Sequence, residues 1–344
     1  MSKAPQSLAP QVIISAFGDE GAIHKTALEQ FSALSALGLS WYSPRFMDLE
    51  NNCKIQHVVD MTDAQWKQLA KLNSDYGMNV TSIGARLGKV KLFDIADSSH
   101  NKFVPQEQYL KTEVRRTIDA ALALGTKFIR GFSYYHPAGE DPKQYLSQAA
   151  EQISSIVDAV AKEGLLFGLE LEANLVGQTG VILNELAEKI NHPNLVLIYD
   201  GGNLSSQNMP RQRCIDEYHA MKSHMGWMHI KDYKIDPGLT WTGVVDEERL
   251  KNFVPVDIGD SGYPEIFADL KTQLPALTAK LQAMGVPGFF LELEPHLKGG
   301  GQFGGFSGPD GLGVACRSLC QNLDELGIGY NLRTMDDIKK SRGF

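Results

Sequence analysis

Short apolar runs alternate with longer amphipathic stretches along almost the whole chain, and this alternation restricts the fold more than any other feature. Runs of this length between turn residues read as buried strands, and the amphipathic stretches read as helices. Strands are expected over residues 12–17 (VIISAF), 39–44 (LSWYSP), 79–84 (NVTSIG), 127–132 (KFIRGF), 165–172 (LLFGLELE), 195–200 (LVLIYD), 227–232 (WMHIKD) and 288–295 (GFFLELEP). Helices are expected over 25–37, 63–76, 105–124, 142–163, 179–190, 211–223, 263–284 and 311–326. Gly38, Gly77, Gly125, Gly164 and Gly285 each stand shortly before a strand, as glycines that end helices do. Eight strands alternating with eight helices predict an α/β fold, the (β/α)8 TIM barrel. A doubly wound sheet would need a phosphate-binding turn after its first strand, and GDEGAIHKT after VIISAF lacks GxGxxG. No Pro/Ser linker divides the chain, so one barrel domain over 1–344 is expected, with long βα loops near 235–258 and 299–312.

The 344 residues can enclose a large core, and 43% hydrophobic with 22% charged residues is a globular balance. A net charge of -8, without a Lys/Arg-rich patch, argues against a nucleic-acid partner. MSKAPQSLAP has no apolar stretch of signal-peptide length, and no later run is long enough to cross a bilayer. Cys53, Cys214, Cys316 and Cys320 form no CxxC and read as packing residues in a reducing compartment. A cytoplasmic protein without a membrane partner is expected.

Polar residues intrude on the apolar strands at one end only. FFLELEPHLK (289–298) places Glu292, Glu294 and His296 on one strand face, and LELEAN (169–174), LIYDGGN (197–203) and WMHIKD (227–232) carry similar residues. Burying such groups without partners is costly. All lie toward the C-terminal ends of their strands, where barrel active sites gather. The best metal set is Glu172, Asp200, His229 and Glu294, which suits one divalent cation: Mn²⁺ first, then Mg²⁺ or Co²⁺, with Zn²⁺ or Fe²⁺ less favoured. Glu170 and Glu292 precede the favoured glutamates by two positions and are read as deeper, structural groups. His296 faces the pocket as a proton shuttle or hydroxyl ligand. Lys231 shares parity with His229 and points inward, whereas Asn203 suits a sugar hydroxyl or a turn cap. Arg130 either contacts substrate or pairs with Glu170 or Glu172, and His136 follows it on the same strand end. Arg45, Arg86 and Lys89 mark further strand ends.

The segments AFGDE, GARLGKVKLFD, IRGFSYY, LELEANLVGQTG, IYDGGN, MHIKD and LEPHLKGGGQFGGFSG resemble the xylose-isomerase-like TIM barrels of the sugar phosphate isomerase/epimerase superfamily, over nearly the whole chain. The resemblance implies that Glu172, Asp200, His229 and Glu294 bind the metal and that the two glutamates exchange a proton with substrate. It also implies substrate contacts from Lys231, Asp232 and Asn203. The chain departs from epimerases of that family at Asn203, where they carry histidine, and lacks their arginine shortly after the metal histidine. The expected activity is a metal-dependent isomerase or epimerase acting on a sugar or keto-sugar through an enediolate, with Glu172, Glu294 and His296 as catalytic groups. The alternative is a lyase on the same scaffold, a dehydratase or an eliminase of 3-oxo-glycosides or C-glycosides. A sugar, cyclitol or glycoside is the expected small-molecule partner, with a homo-oligomer or a small partner subunit compatible with the long loops. No nicotinamide or other organic cofactor site is visible.

Overall fold

In the computed structural model, residues 11–96, 101–301 and 304–341 are described. The opening MSKAPQSLAP and residues 302 and 303 of the 299–312 segment lie outside them. The strands run in chain order as β1 (Ile13–Phe17), β2 (Trp41–Ser43), β3 (Ser82–Leu87), β4 (Phe128–Gly131), β5 (Leu166–Glu170), β6 (Leu195–Asp200), β7 (Met225–Ile230) and β8 (Phe290–Leu293). All neighbours except β2 and β3 pair directly and in parallel, and β1 pairs with both β2 and β8. The third barrel position is broken. Asn79–Val80 pairs with β2 while β3 pairs with β4, so Thr81 joins the two edges of a nine-stranded sheet into a ring. The expected TIM barrel is present.

Helices α1 (Ala27–Ala36), α2 (Asp63–Tyr76), α3 (Arg115–Leu124), α4 (Leu146–Lys162), α5 (Gly180–Ile190), α6 (Arg211–Met221), α7 (Tyr263–Ala283) and α8 (Gly308–Leu326) follow the strands. Thr62 and Gln65 form a capping box at the start of α2, and Gly77 ends it in the left-handed region at φ 62°. Two loop boundaries differ from expectation. Helix α8 begins at Gly308 rather than 311, so the last loop is shorter; Pro309 suits its first turn. Within 235–258, Phe253–Val254 folds back to pair with Asp232–Tyr233. Asn174 secures that loop by exchanging two hydrogen bonds of 3.0 Å with the Val245 backbone.

The barrel interior is layered. At its floor, Phe128 and Trp227 pack with ring centroids 4.2 Å apart. Gly168 makes room for them, since a Cβ there would lie 2.1 Å from the indole. Above this lies a polar layer, where Ser43 and Ser15 donate to Glu292 Oε1 at 2.5 and 3.3 Å. The polar layer is the base on which the site stands.

Candidate metal centre

Four donors converge above that base. One oxygen each of Glu170, Asp200 and Glu294 and one nitrogen of His229 lie within 4.8 Å of one another, all buried. Strand register explains why these four meet. His229 is level with both Asp200 and Glu292, whereas Glu170 is level with Ile198. The donors therefore climb from β5 to β8, as strand stagger in a barrel requires. Glu170 is the last residue of β5, and Glu294 lies one residue beyond β8.

Register also separates the donor set from the expected one. Glu172, expected as the first ligand, lies two residues past the end of β5, on the approach to Asn174 with its φ of 67°. Its carboxylate stands at the rim, 3.1 Å from Lys89 Nζ, with 22% side-chain exposure. Glu170, read from the sequence as a deeper structural group, occupies the position in the cluster.

His229 has its two nitrogens in different surroundings. Nδ1 faces the cluster, 3.1 Å from Glu170 Oε1 and 3.4 Å from Glu294 Oε2. Nε2 faces Glu292 Oε2 at 3.3 Å. A carboxylate behind a ligating imidazole fixes its orientation and raises its basicity, and Glu292 is placed for that work. Burial opposes charge on His229, but Glu170, Glu292 and Glu294 outweigh it and lift its pKa to about 10. Burial moves Asp200 the other way, to about 7, aided by Glu170 and Glu294 and opposed by Lys231 and His229.

Cations surround the acids. Lys231 Nζ is 2.8 Å from Asp200 Oδ2 and 3.4 Å from Glu294 Oε2. Arg130 Nη1 lies 3.3 Å from Glu170 Oε2 and 3.2 Å from Glu294 Oε1, and Arg45 Nη1 donates to Glu294 Oε1 at 2.6 Å. Burial resists ionisation of Glu294, yet Lys231, Arg130, His296 and His229 hold its pKa well below the usual carboxylate range. The guanidinium carbons of Arg45 and Arg130 sit 4.5 and 4.7 Å from the Phe17 ring centre, and Lys89 Nζ sits 4.4 Å from that of Phe132.

Arg45, Lys89, Arg130, Glu172, Asn203, Lys231, Glu294 and His296 all line one cavity of about 30 Å³ at the C-terminal mouth of the barrel. Asn203 Nδ2 donates to Leu171 O at 3.0 Å, and its N–H donates to Asp200 Oδ1 at 3.2 Å, so it braces Asp200 as well as lining the cavity. Asp232 is turned away from the cavity: its Oδ1 accepts from Tyr233 N–H, Ser261 N–H and Ser261 Oγ–H. The opposite parities of Lys231 and Asp232 put only the lysine inside. His136 is half-buried outside this lining, with its Nδ1 2.9 Å from Pro137 O. Arg86, another marked strand end, pairs instead with Asp60 and Glu113. Glu20, which sequence reasoning passed over, lies buried on the loop after β1, with Oε1 2.7 Å from His296 Nδ1. Its sequence signals were a carboxylate just beyond a strand end and its place in AFGDE, a segment that carries the family resemblance.

The donor chemistry fits a divalent cation. Three carboxylates and one imidazole form a hard-to-borderline ligand set. Glu170 Oε2 and Asp200 Oδ2 are buried without a hydrogen bond, despite their ion-pair contacts to Arg130 and Lys231. Such orphaned acceptors are what an ion would satisfy.

The family profile described as xylose isomerase-like TIM barrel matches residues 31–298. The chain belongs to that family. No curated protein matches it in sequence. Among solved structures it is similar to a xylose isomerase-like TIM barrel protein from Mycobacterium smegmatis in complex with magnesium, at TM-score 0.59 and 17% identity, covering 93% of this chain and 98% of that one. It is similar to D-psicose 3-epimerase in the presence of D-fructose, at 0.58 and 15%, covering 92% and 100%. The probable 3-DHS dehydratase AsbF, involved in petrobactin synthesis, from Bacillus anthracis matches at 0.57 and 15%, covering 90% and 99%. At these identities the likeness establishes the fold.

Proposed function

We propose that this chain is a divalent-metal-dependent isomerase or epimerase of a sugar or keto-sugar. The observation that carries the reading is the buried Glu170, Asp200, His229, Glu294 group at the C-terminal ends of β5 to β8. These four would hold the ion, Mn²⁺ by preference, with His229 binding through Nδ1. When bound, the ion supplies Lewis acidity toward a carbonyl and an adjacent hydroxyl. Lys231 and Arg130, beside the same carboxylates, place positive charge where an enediolate oxygen develops. Glu170, Glu294 and His296 are the groups that can move the proton between carbons or between faces, while Glu172 on the rim meets a substrate hydroxyl. Asn203 presents its amide to the same cavity.

A lyase reading has one observation in its favour. His296 adds a third proton carrier to the cavity, which exchange between two glutamates does not require. Loss of a β-substituent from the enediolate would use it as the acid. The test is incubation of Mn²⁺-loaded protein in deuterated water with ketoses, inososes and 3-oxo-glycosides, followed by NMR. Deuterium gained beside the carbonyl with no group lost supports the isomerase or epimerase. Loss of water or an aglycone supports the lyase, and no change across the panel with protein holding its ion counts against both.

A further inference from the structure

The His296 ring is held from several directions at once. Its backbone lies at φ 53°, a region in which non-glycine residues are uncommon. Phe253 meets the imidazole edge to face at 5.4 Å. On another side passes Gly305, where a Cβ would fall 1.9 Å from Nδ1. Glu20 grips the residue twice: Oε1 is 2.7 Å from the ring Nδ1, and Oε2 accepts from the His296 backbone N–H at 3.3 Å. Ser307 Oγ donates to Glu20 Oε2 at 2.7 Å, and Arg45 Nη2 donates to Oε1 at 3.2 Å. With these donors the carboxylate is an acceptor only, so the proton between it and the ring belongs to His296 Nδ1. Nε2 is the nitrogen left for the cavity that His296 lines.

We infer that Glu20 is a positioning residue that fixes His296 as the Nδ1–H tautomer and so presents Nε2 to the metal-centre cavity as its proton acceptor. The inference rests on the proposed carbonyl chemistry for the step that follows. In that step the C–H bond beside the carbonyl breaks, its electron pair forms the C=C bond, the carbonyl π pair moves onto oxygen, and the proton goes to Nε2. Protonated Nε2 then returns the proton to carbon or gives it to a leaving group. Glu20 keeps its charge throughout and only orients the ring. A carboxylate behind a histidine does this in general acid–base sites on unrelated folds.

Long-range ¹H–¹⁵N NMR of imidazole-labelled protein without substrate tests the tautomer, with the His296 signals assigned by their loss in His296→Gln. The expected spectrum has a pyrrole-type Nδ1 and a pyridine-type Nε2, and Glu20→Leu shifts the population toward Nε2–H. A wild-type ring protonated at Nε2 overturns the inference, and this spectrum decides even where Glu20→Leu fails to fold. The second measurement is deuterium uptake by dihydroxyacetone, read as kcat against KM. Glu20→Leu is expected to lose about a hundredfold in kcat with little change in KM, the size of a general acid–base contribution. An unchanged kcat overturns the assignment. Absence of uptake by wild-type protein on any ketose counts against the proposed reaction instead, while the NMR spectrum still decides the dyad.

Discussion

The ends of β1 to β4 bring two arginines, a lysine and two phenylalanines to the barrel mouth, with Asp19 and Glu20 paired to Arg45, whereas those of β5 to β8 bring most of the carboxylates and an imidazole. On the first side Phe17 underlies both Arg45 and Arg130, and Phe132 underlies Lys89. On the second side Glu170, Asp200, His229, Glu292 and Glu294 are nearly inaccessible. So many buried acids are tolerable only with positive charge beside them. Arginine is suited to the task because it does not deprotonate, and a phenylalanine face holds the guanidinium without consuming its N–H donors. The basic half is thus the counter-charge of the acidic half. Lys231 is a cation contributed from the acidic side, and it stands against the carboxylates that would hold an ion.

The comparison breaks most sharply at the cluster itself. Asp200→Ala and Glu170→Gln should each weaken Mn²⁺ binding more than about a hundredfold by calorimetry, beyond the usual outer-shell effect. Glu172→Gln should change it less than about threefold; a large loss there with none at Glu170 would return the first ligand position to the rim. Glu292→Gln should cost about 10- to 100-fold in the same assay, because His229 loses the carboxylate behind it. Removing a competing cation should act in the opposite direction. Lys231→Met is expected to tighten Mn²⁺ binding by about tenfold, as a like charge leaves the ligands. A weaker ion in that variant would mean that the lysine organises the acids rather than competing for them.

The smallest expected effect is in protons. With Asp200 raised to about 7 and His229 to about 10 before the ion arrives, both groups bind protons at acidic pH. Ion binding requires both to deprotonate, so it should release about two protons near pH 6 and about one near pH 8. Apparent affinity therefore climbs steeply with pH up to about 7 and less steeply above it. Calorimetry in buffers of different ionisation enthalpy reads the release, and a value independent of pH would contradict these shifts.

The acidic half was far more legible in the sequence than the basic half. Alternating acids inside FFLELEPHLK and LLFGLELE announce themselves, because an apolar strand carries them only at a cost. The choice between Glu170 and Glu172 was not legible, since both share a face and only the stagger of β5 against β6 decides which meets Asp200. Lys231 was readable from its parity with His229, and the same parity argument explains why Asp232 lies outside. Glu20 was hidden for another reason. Its partners His296 and Ser307 are 276 and 287 residues away, and no local pattern encodes a pairing made by ring closure. The strand and helix alternation was plain throughout, while the break in the third strand and the early start of α8 depended on packing.

That break has a mechanical consequence. The third position is laddered to β2 over only two residues, and beyond them two separate hydrogen bonds hold it there, from Thr81 N–H to Tyr42 O at 2.9 Å and from Gly84 N–H to Pro44 O at 3.1 Å. Backbone amides beside residue 81 should exchange with solvent sooner than those of β6 and β7, each of which pairs with both neighbours over four residues. That short ladder lies on the far side of the hoop from those strands, so a local opening at residue 81 would leave the four donors where they stand.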